Sequence, residues 1–226
     1  MPRKVGPSYL SDIVIFGAGG LGREVLMLLH QINKVLPQWH ILGFYDDDPA
    51  TPKTVQTYPY LGTLADLLQT KKPLAVVIAL GNPVVKAQIR AKLDKPVFTF
   101  PPIIHPEVSN EVFQYNTIGE GAIICQDNIL TTNITLGQHV LLNLGCTVGH
   151  DAVVGDFSAL MPHVNISGNT MLGKQVYVGT NATVLPGLRV GENSIIGAAA
   201  VVTQSIPAHC TVVGVPARII KAHADK

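Results

Sequence analysis

From Val112 to Val202 an aliphatic side chain recurs at every sixth position without a miss: Val112, Ile118, Ile124, Leu130, Leu136, Leu142, Val148, Val154, Leu160, Ile166, Leu172, Val178, Val184, Val190, Ile196 and Val202. A helical face has a period near 3.6 and an isolated strand a period of 2, so a sustained period of six excludes both. Self-similarity at a fixed short period is the mark of a stacked solenoid, here a β-helix in which each repeat gives one short strand and one turn. The aliphatic residue points inward. Glycine often follows it, at Gly119, Gly137, Gly149, Gly155, Gly173, Gly179, Gly191 and Gly197, and is expected to supply the turn dihedral. Four residues after the aliphatic position comes a small or apolar side chain, such as Ala122, Cys146, Ala152, Ser158 or Ala182.

The first half of the chain is patterned differently. Residues 12–16 (DIVIF) form a β-branched run ending in Gly17-Ala18-Gly19-Gly20-Leu21-Gly22, after which residues 23–33 space their apolar side chains as a helix does. A second run, 41–45, ends in Asp46-Asp47-Asp48-Pro49. A third, 74–80, ends in Gly81-Asn82-Pro83 ahead of another helical stretch. Residues 63–69 read as a short helix with Thr63 as its N-cap. Strands alternating with helices predict a small parallel sheet whose ligand lies beyond the carboxyl ends of the strands, where all three clusters fall.

Gly17, Gly19 and Gly22 match the GxGxxG spacing, with Gly20 inside it, that brings backbone N–H groups and a helix N-terminus to a diphosphate. An NAD site requires an acidic residue about 20 positions onward to hold the ribose. Asp46 and Asp47 come later than that, so the expected ligand is nucleotide-linked and smaller than NAD. The alternatives are a loop that only turns strand into helix and an aspartate run that is only a solvated turn.

An apolar fraction of 47% over 226 residues is enough for two cores and argues against disorder or a coiled coil. Sixteen basic residues nearly cancel fifteen acidic ones, so no electrostatic footprint for nucleic acid is present. Cys125, Cys146 and Cys210 are odd in number and lack CxxC spacing, which predicts buried reduced thiols rather than disulfides or a cysteine zinc site. The opening MPRKVGPSYLSD has no apolar segment, and no run of about 18 apolar residues occurs. Neither a signal peptide nor a membrane span is expected, and the default location is the cytoplasm.

The hexapeptide series, the terminal Val213-Gly214-Val215-Pro216-Ala217-Arg218, and the GAGGLGRE and YDDD motifs together resemble the sialic acid and bacillosamine-type sugar acetyltransferases over nearly the whole chain. The resemblance implies a Rossmann-like nucleotide-sugar-binding domain over 1–104 and a left-handed parallel β-helix of triangular coils over 105–226. It also implies a homotrimer with acetyl-CoA bound in clefts between neighbouring β-helices, and no metal. In Val148-Gly149-His150-Asp151, His150 aligns with the family's catalytic histidine, and Asp151 with the acidic neighbour that orients it. Acetyl transfer from a thioester needs such a base, together with donors to the oxyanion. Adjacent residues of a strand point to opposite faces, so the pair can interact only if the chain bends there, which Gly149 would allow.

The acceptor would be held by Gly17, Gly19, Gly20, Gly22, Asp46, Asp47, Gly81, Asn82 and Asn143. Asn143 matches a family asparagine near the sugar, although an asparagine ladder at a coil turn would look identical. Gly179 and Gly197-Ala198-Ala199 would line the pantetheine path, and Arg218 and Lys221 would meet the coenzyme A phosphates. Two positions depart from the family pattern: Leu21 stands where a loop histidine is common, and Ala159 replaces a second solenoid histidine. Both departures would fall near the acceptor or the thioester. They keep alive a non-catalytic nucleotide-sugar scaffold as an alternative. A γ-carbonic-anhydrase-like zinc enzyme fits less well, because that family's second histidine falls on Gly155. N- and O-acetylation share one base and one thioester and are not separated by sequence.

Overall fold

The computed structural model describes residues 10–223, so the first nine residues of the opening segment lie outside it. The chain forms two compact units, one from residues up to Leu80 with Arg90–Pro101, the other from Gly81–Ile89 and the described residues from Pro102 onward. Residues 81–89 thus belong to the second unit and not to the first.

The first unit is an open, doubly wound sheet. Its elements are β1 (Ser11–Phe16), α1 (Gly20–Val35), β2 (Trp39–Tyr45), β3 (Thr54–Val55), β4 (Tyr58–Gly62), α2 (Leu64–Leu67), β5 (Leu74–Ile78) and β6 (Phe98–Thr99), in spatial order β3-β4-β2-β1-β5-β6. The only antiparallel pair in this sheet is β3 with β4. Ile13, Val14 and Ile15 are completely buried, and α1 covers the sheet with Val25, Leu26, Leu28, Leu29 and Ile32. Each such aliphatic side chain contributes about 1.5–3 kcal/mol on burial. Thr63 caps α2, and its amide and hydroxyl hold the Asp66 carboxyl below the usual carboxylate range in a reciprocal capping box. The strand β4 has no clear sequence signal, because Pro59 and the tyrosines break any alternation.

The second unit is a three-sided parallel β-helix of two-residue strands. Leu141 pairs with Ile123 and with Ala159, eighteen residues away on either side, so three hexapeptides make one coil. From Ile124 to Val202 every member of the aliphatic series is buried in one continuous core. Val112 is not part of it: it sits in a 3-10 turn and is 91% exposed, because residues 105–116 form a longer excursion between the strands Ile103–Ile104 and Thr117–Ile118.

The turn dihedral does not belong to the glycine after the aliphatic residue. Every sixth residue from Tyr115 to Ala199 has a positive φ, and this corner position is two residues further on, held by Asp127, Asn133, Asp151, Asn169, Asn181 and others. Asn, Asp and His tolerate this conformation better than most side chains. The glycines after the aliphatic residues serve a different need. A Cβ on Gly155 would lie 2.5 Å from the backbone carbon of Gly173 in the next coil, and one on Gly149 would lie 2.6 Å from the Gly168 amide nitrogen. Glycine there lets coils stack at backbone contact.

The helix α3 (Pro83–Lys92) begins in this unit. Lys86 is buried, its Nζ donates to the His139 carbonyl at 3.2 Å, and burial lowers its pKa to about 7. All three cysteines are free and buried, and burial pushes the Cys146 thiol up to about 11, which makes it unreactive.

Candidate active site

In the first unit β1 lies between β2 and β5, so the chain switches direction across the sheet at β1, and the glycine loop Gly17–Gly22 leaves its carboxyl end at that switch point. The loop's glycines divide into two kinds. Gly17 has φ +108 and abuts the Ala79 carbonyl, and a Cβ on Gly22 would run into the Gly17 carbonyl oxygen. Those two are needed by the turn itself. A Cβ on Gly19 or Gly20 would meet nothing within 4 Å, and both residues are exposed. Helix α1 starts there with no side-chain cap and no acidic residue in its first turn, which leaves backbone donors turned outward.

The aspartates are already engaged. Asp46 accepts the Ala18 amide at 2.6 Å on one oxygen and the Asp48 amide at 2.9 Å on the other, so it ties the glycine loop to the end of β2. Asp47 accepts the Leu64 amide at 2.7 Å. Asn82 in the second unit accepts the Val84 and Val85 amides through its side-chain oxygen and so caps α3, while a Cβ on Gly81 would meet nothing.

In the β-helix His150 and Asp151 sit at one corner. Asp151 has φ +60, and this bend in its own backbone, rather than in Gly149, lets neighbouring side chains meet: His150 Nδ1 and Asp151 Oδ2 are 2.8 Å apart. A carboxylate can only accept, so Nδ1 carries the proton, and in the neutral imidazole the free lone pair is on Nε2. Both side chains are about half exposed, at 59% and 46%. An exposed pair of this kind adds at most about 1 kcal/mol to stability, so what it provides is a fixed tautomer and ring orientation.

Asn143 lies on a different edge. It is buried to 7% exposure, its Oδ1 accepts the Leu144 amide at 2.7 Å, and its carbonyl receives Asn128 Nδ2 at 2.9 Å. The same coil position is held by Cys125, Met161, Gly179 and Gly197, so no asparagine ladder runs there. Asn143, Gly179 and Gly197 form one line along one edge, while His150 and Asp151 stand on another. The other solenoid histidines are corner residues, His139 stacked on Phe157 and His163 packed over Gly145.

Residues 12–93 match the family described as the PglD N-terminal domain. Over 149 residues the chain is 31% identical to the GDP-perosamine N-acetyltransferase of Escherichia coli O157:H7, a match spanning 66% of each protein and thus just under two thirds of that relative's length. The acetyltransferase domain of PglB from Neisseria gonorrhoeae FA1090, in complex with acetyl coenzyme A, aligns with a TM-score of 0.84 at 30% identity, covering 93% of this chain and all of that one (100%). The chain belongs to the bacillosamine-type sugar acetyltransferase family. WeeI from Acinetobacter baumannii AYE also aligns over 93% of this chain and 100% of its own, with a TM-score of 0.81 and 32% identity.

In this member of the bacillosamine-type family, Ala159 is completely buried between Leu141 and Tyr177 in adjacent coils, so it presents nothing to a thioester. Leu21 lies half-buried in the first turn of α1. Gly179 is packed against the Ala198 backbone, Gly197 against Val213, and Ala199 is an exposed corner residue with φ 55. Arg218 and Lys221 are exposed on the last strand, Arg218–Ala222, which runs antiparallel to Cys210–Val213. Among the described residues no helix is long and apolar enough to cross a membrane.

Sequence reasoning missed Gly168. A Cβ on it would meet the His150 imidazole, and the only sequence signal was its place eighteen residues after that histidine.

Proposed function

We propose that this protein moves the acetyl group of acetyl-CoA to an amino group on a nucleotide-linked sugar in the cytoplasm, as a step in bacterial surface-glycan synthesis. The observation that carries the reading is the His150–Asp151 pair: an exposed imidazole whose Nδ1–H is held at 2.8 Å by a carboxylate, leaving Nε2 as a base. The acceptor nitrogen attacks the thioester carbonyl and its proton passes to Nε2. The tetrahedral intermediate then collapses, the C–S bond breaks, and the proton goes to the departing thiolate of coenzyme A. An amine rather than a hydroxyl acceptor is supported by the named activity of the Escherichia coli relative.

The nucleotide is assigned to the glycine loop, where Gly19 and Gly20 leave open space beside uncapped helix donors. The two edges bearing Asn143 and His150 in one chain support a homotrimer, since a cleft between neighbouring β-helices joins one edge of each. Gly179, Gly197, Ala198 and Ala199 would line the pantetheine there, with Arg218 and Lys221 towards the phosphates.

Calorimetric titration with acetyl-CoA, and separately with UDP-, GDP-, dTDP- and CMP-sugars, tests both halves of the reading. Binding of acetyl-CoA and one nucleotide-sugar is expected, followed by coenzyme A release in a thiol assay that His150→Ala lowers by about 10²- to 10⁴-fold. Sugar-nucleotide binding without acetyl-CoA binding would leave a non-catalytic scaffold in its place.

A further inference from the structure

Gly168 stands directly after His150 along the stack, eighteen residues on, at the same corner of the next coil. An ideal Cβ built on it would lie 2.6 Å from His150 Nε2, 2.7 Å from Cε1 and 2.9 Å from Cδ2. All three nearest atoms belong to the imidazole. The Gly168 backbone does not itself demand glycine, since its φ is not among the positive values of the chain. Elsewhere the two needs are mixed: Gly145 lies under His163 but also has φ +68. At Gly168 the imidazole, and not the backbone dihedral, stands where a side chain would begin.

We propose that Gly168 is a positioning residue, whose lack of a side chain lets the His150 imidazole lie across the next coil with Nε2 over Gly168 and Nδ1 on Asp151. The backbone around it is fixed from both sides. The Asn169 amide donates to the His150 carbonyl at 2.8 Å, and the Gly187 amide donates to the Gly168 carbonyl at 3.0 Å. The imidazole is the mobile partner, because its side chain is 59% exposed. A methyl at 168 therefore displaces the ring and leaves the coil intact. Gly149 at the same corner offers the contrast, since its Cβ would strike the Gly168 and Ser167 backbone.

The inference rests on His150 being the base. The test compares Gly168→Ala, His150→Ala and the double variant, using acetyl-CoA with the panel sugar that binds most tightly. Gly168→Ala is expected to lower kcat by about tenfold or more, since misplacing a reacting group by about an ångström costs up to 10²-fold. The KM for acetyl-CoA should stay within about twofold. The imidazole ¹H–¹⁵N NMR signals that report the Nδ1–H bond to Asp151 should shift in the ligand-free protein. Wild-type kcat and unshifted ring signals in Gly168→Ala, with His150→Ala inactive, overturn this inference alone. Full turnover in His150→Ala overturns the base reading and this inference with it.

A stability cycle decides the case should Gly168→Ala fold poorly. Removing the imidazole takes away all three atoms nearest the added methyl, so His150→Ala/Gly168→Ala should melt at the temperature of His150→Ala. A loss of equal size in both backgrounds assigns Gly168 to backbone packing and overturns the proposal.

Discussion

Glycine is used in opposite ways in the two halves of this protein. In the β-helix, the glycines after the inward aliphatic residues are filled positions: Gly149, Gly155, Gly173 and Gly179 each lie against the backbone of the next coil, and a Cβ would sit 2.5–2.6 Å from its atoms. In the loop after β1, Gly19 and Gly20 face open space. A glycine with a neighbour where its Cβ would be is a packing requirement. One without such a neighbour, at an uncapped helix start, marks room kept for something outside the chain. GxGxxG contains both kinds, which is why the motif alone carries little weight.

The largest expected effect comes from the filled positions. Gly155→Ala should cost about 3 kcal/mol or more, because the obstacle is backbone that cannot move without separating coils, and thermal unfolding would show it. A variant melting like wild type would show that the coil glycines are not packing requirements. Gly22→Val should come next, with a loss of about 2–3 kcal/mol centred on the first unit, where the Gly17 carbonyl and the Phe44 ring stand in the way. Hydrogen exchange resolved along the chain would show lost protection in β1 and α1 while the coils stay protected.

Melts followed against pH separate such steric costs from an electrostatic one. The Lys86 pKa falls from 10.5 in a free side chain to about 7 in the folded protein, so between those values the unfolded chain binds more protons. Stability should therefore rise as pH increases through that window, while the cost of Gly155→Ala stays constant. Lys86→Met should remove the rise and stabilise the protein at pH 7 and below; an unchanged pH profile would show that the amine keeps its proton in the folded protein. The smallest effect is expected at the open positions. Gly20→Ala should leave the melting temperature unchanged or slightly raised, since alanine favours a helix by about 0.5–1 kcal/mol. It should weaken nucleotide-sugar binding by about tenfold, or about 1.4 kcal/mol. Unchanged affinity would place the nucleotide elsewhere.

Much of the fold was legible because it repeats. The six-residue period, the strand-loop-helix around the first glycines and the Thr63 cap are local patterns, and each appears in the structure with boundaries moved by a few residues. Val112 kept the period and lost the role, since nothing in residues 105–116 reports that the chain leaves the coil there. The site was harder to read. Asp46, Asp47 and Asn82 are residue types that suit a ligand equally well, and only their distances to the Ala18, Leu64 and Val84 amides show that they hold the backbone.

The sequence by itself determined the stacked coil and the parallel sheet, because the burial of one side chain in every six, or of a β-branched run before a glycine turn, follows from backbone geometry that recurs along the chain. It also marked His150 and Asp151 as neighbours. Only the tertiary structure decided that they touch, through the left-handed backbone of Asp151, and that the imidazole rests over Gly168. It also put Asn143 and His150 on separate edges of the prism. Those relations join residues that stacking brings together or holds apart, and a stack places residue 150 beside residue 168 for reasons that no local window of sequence contains.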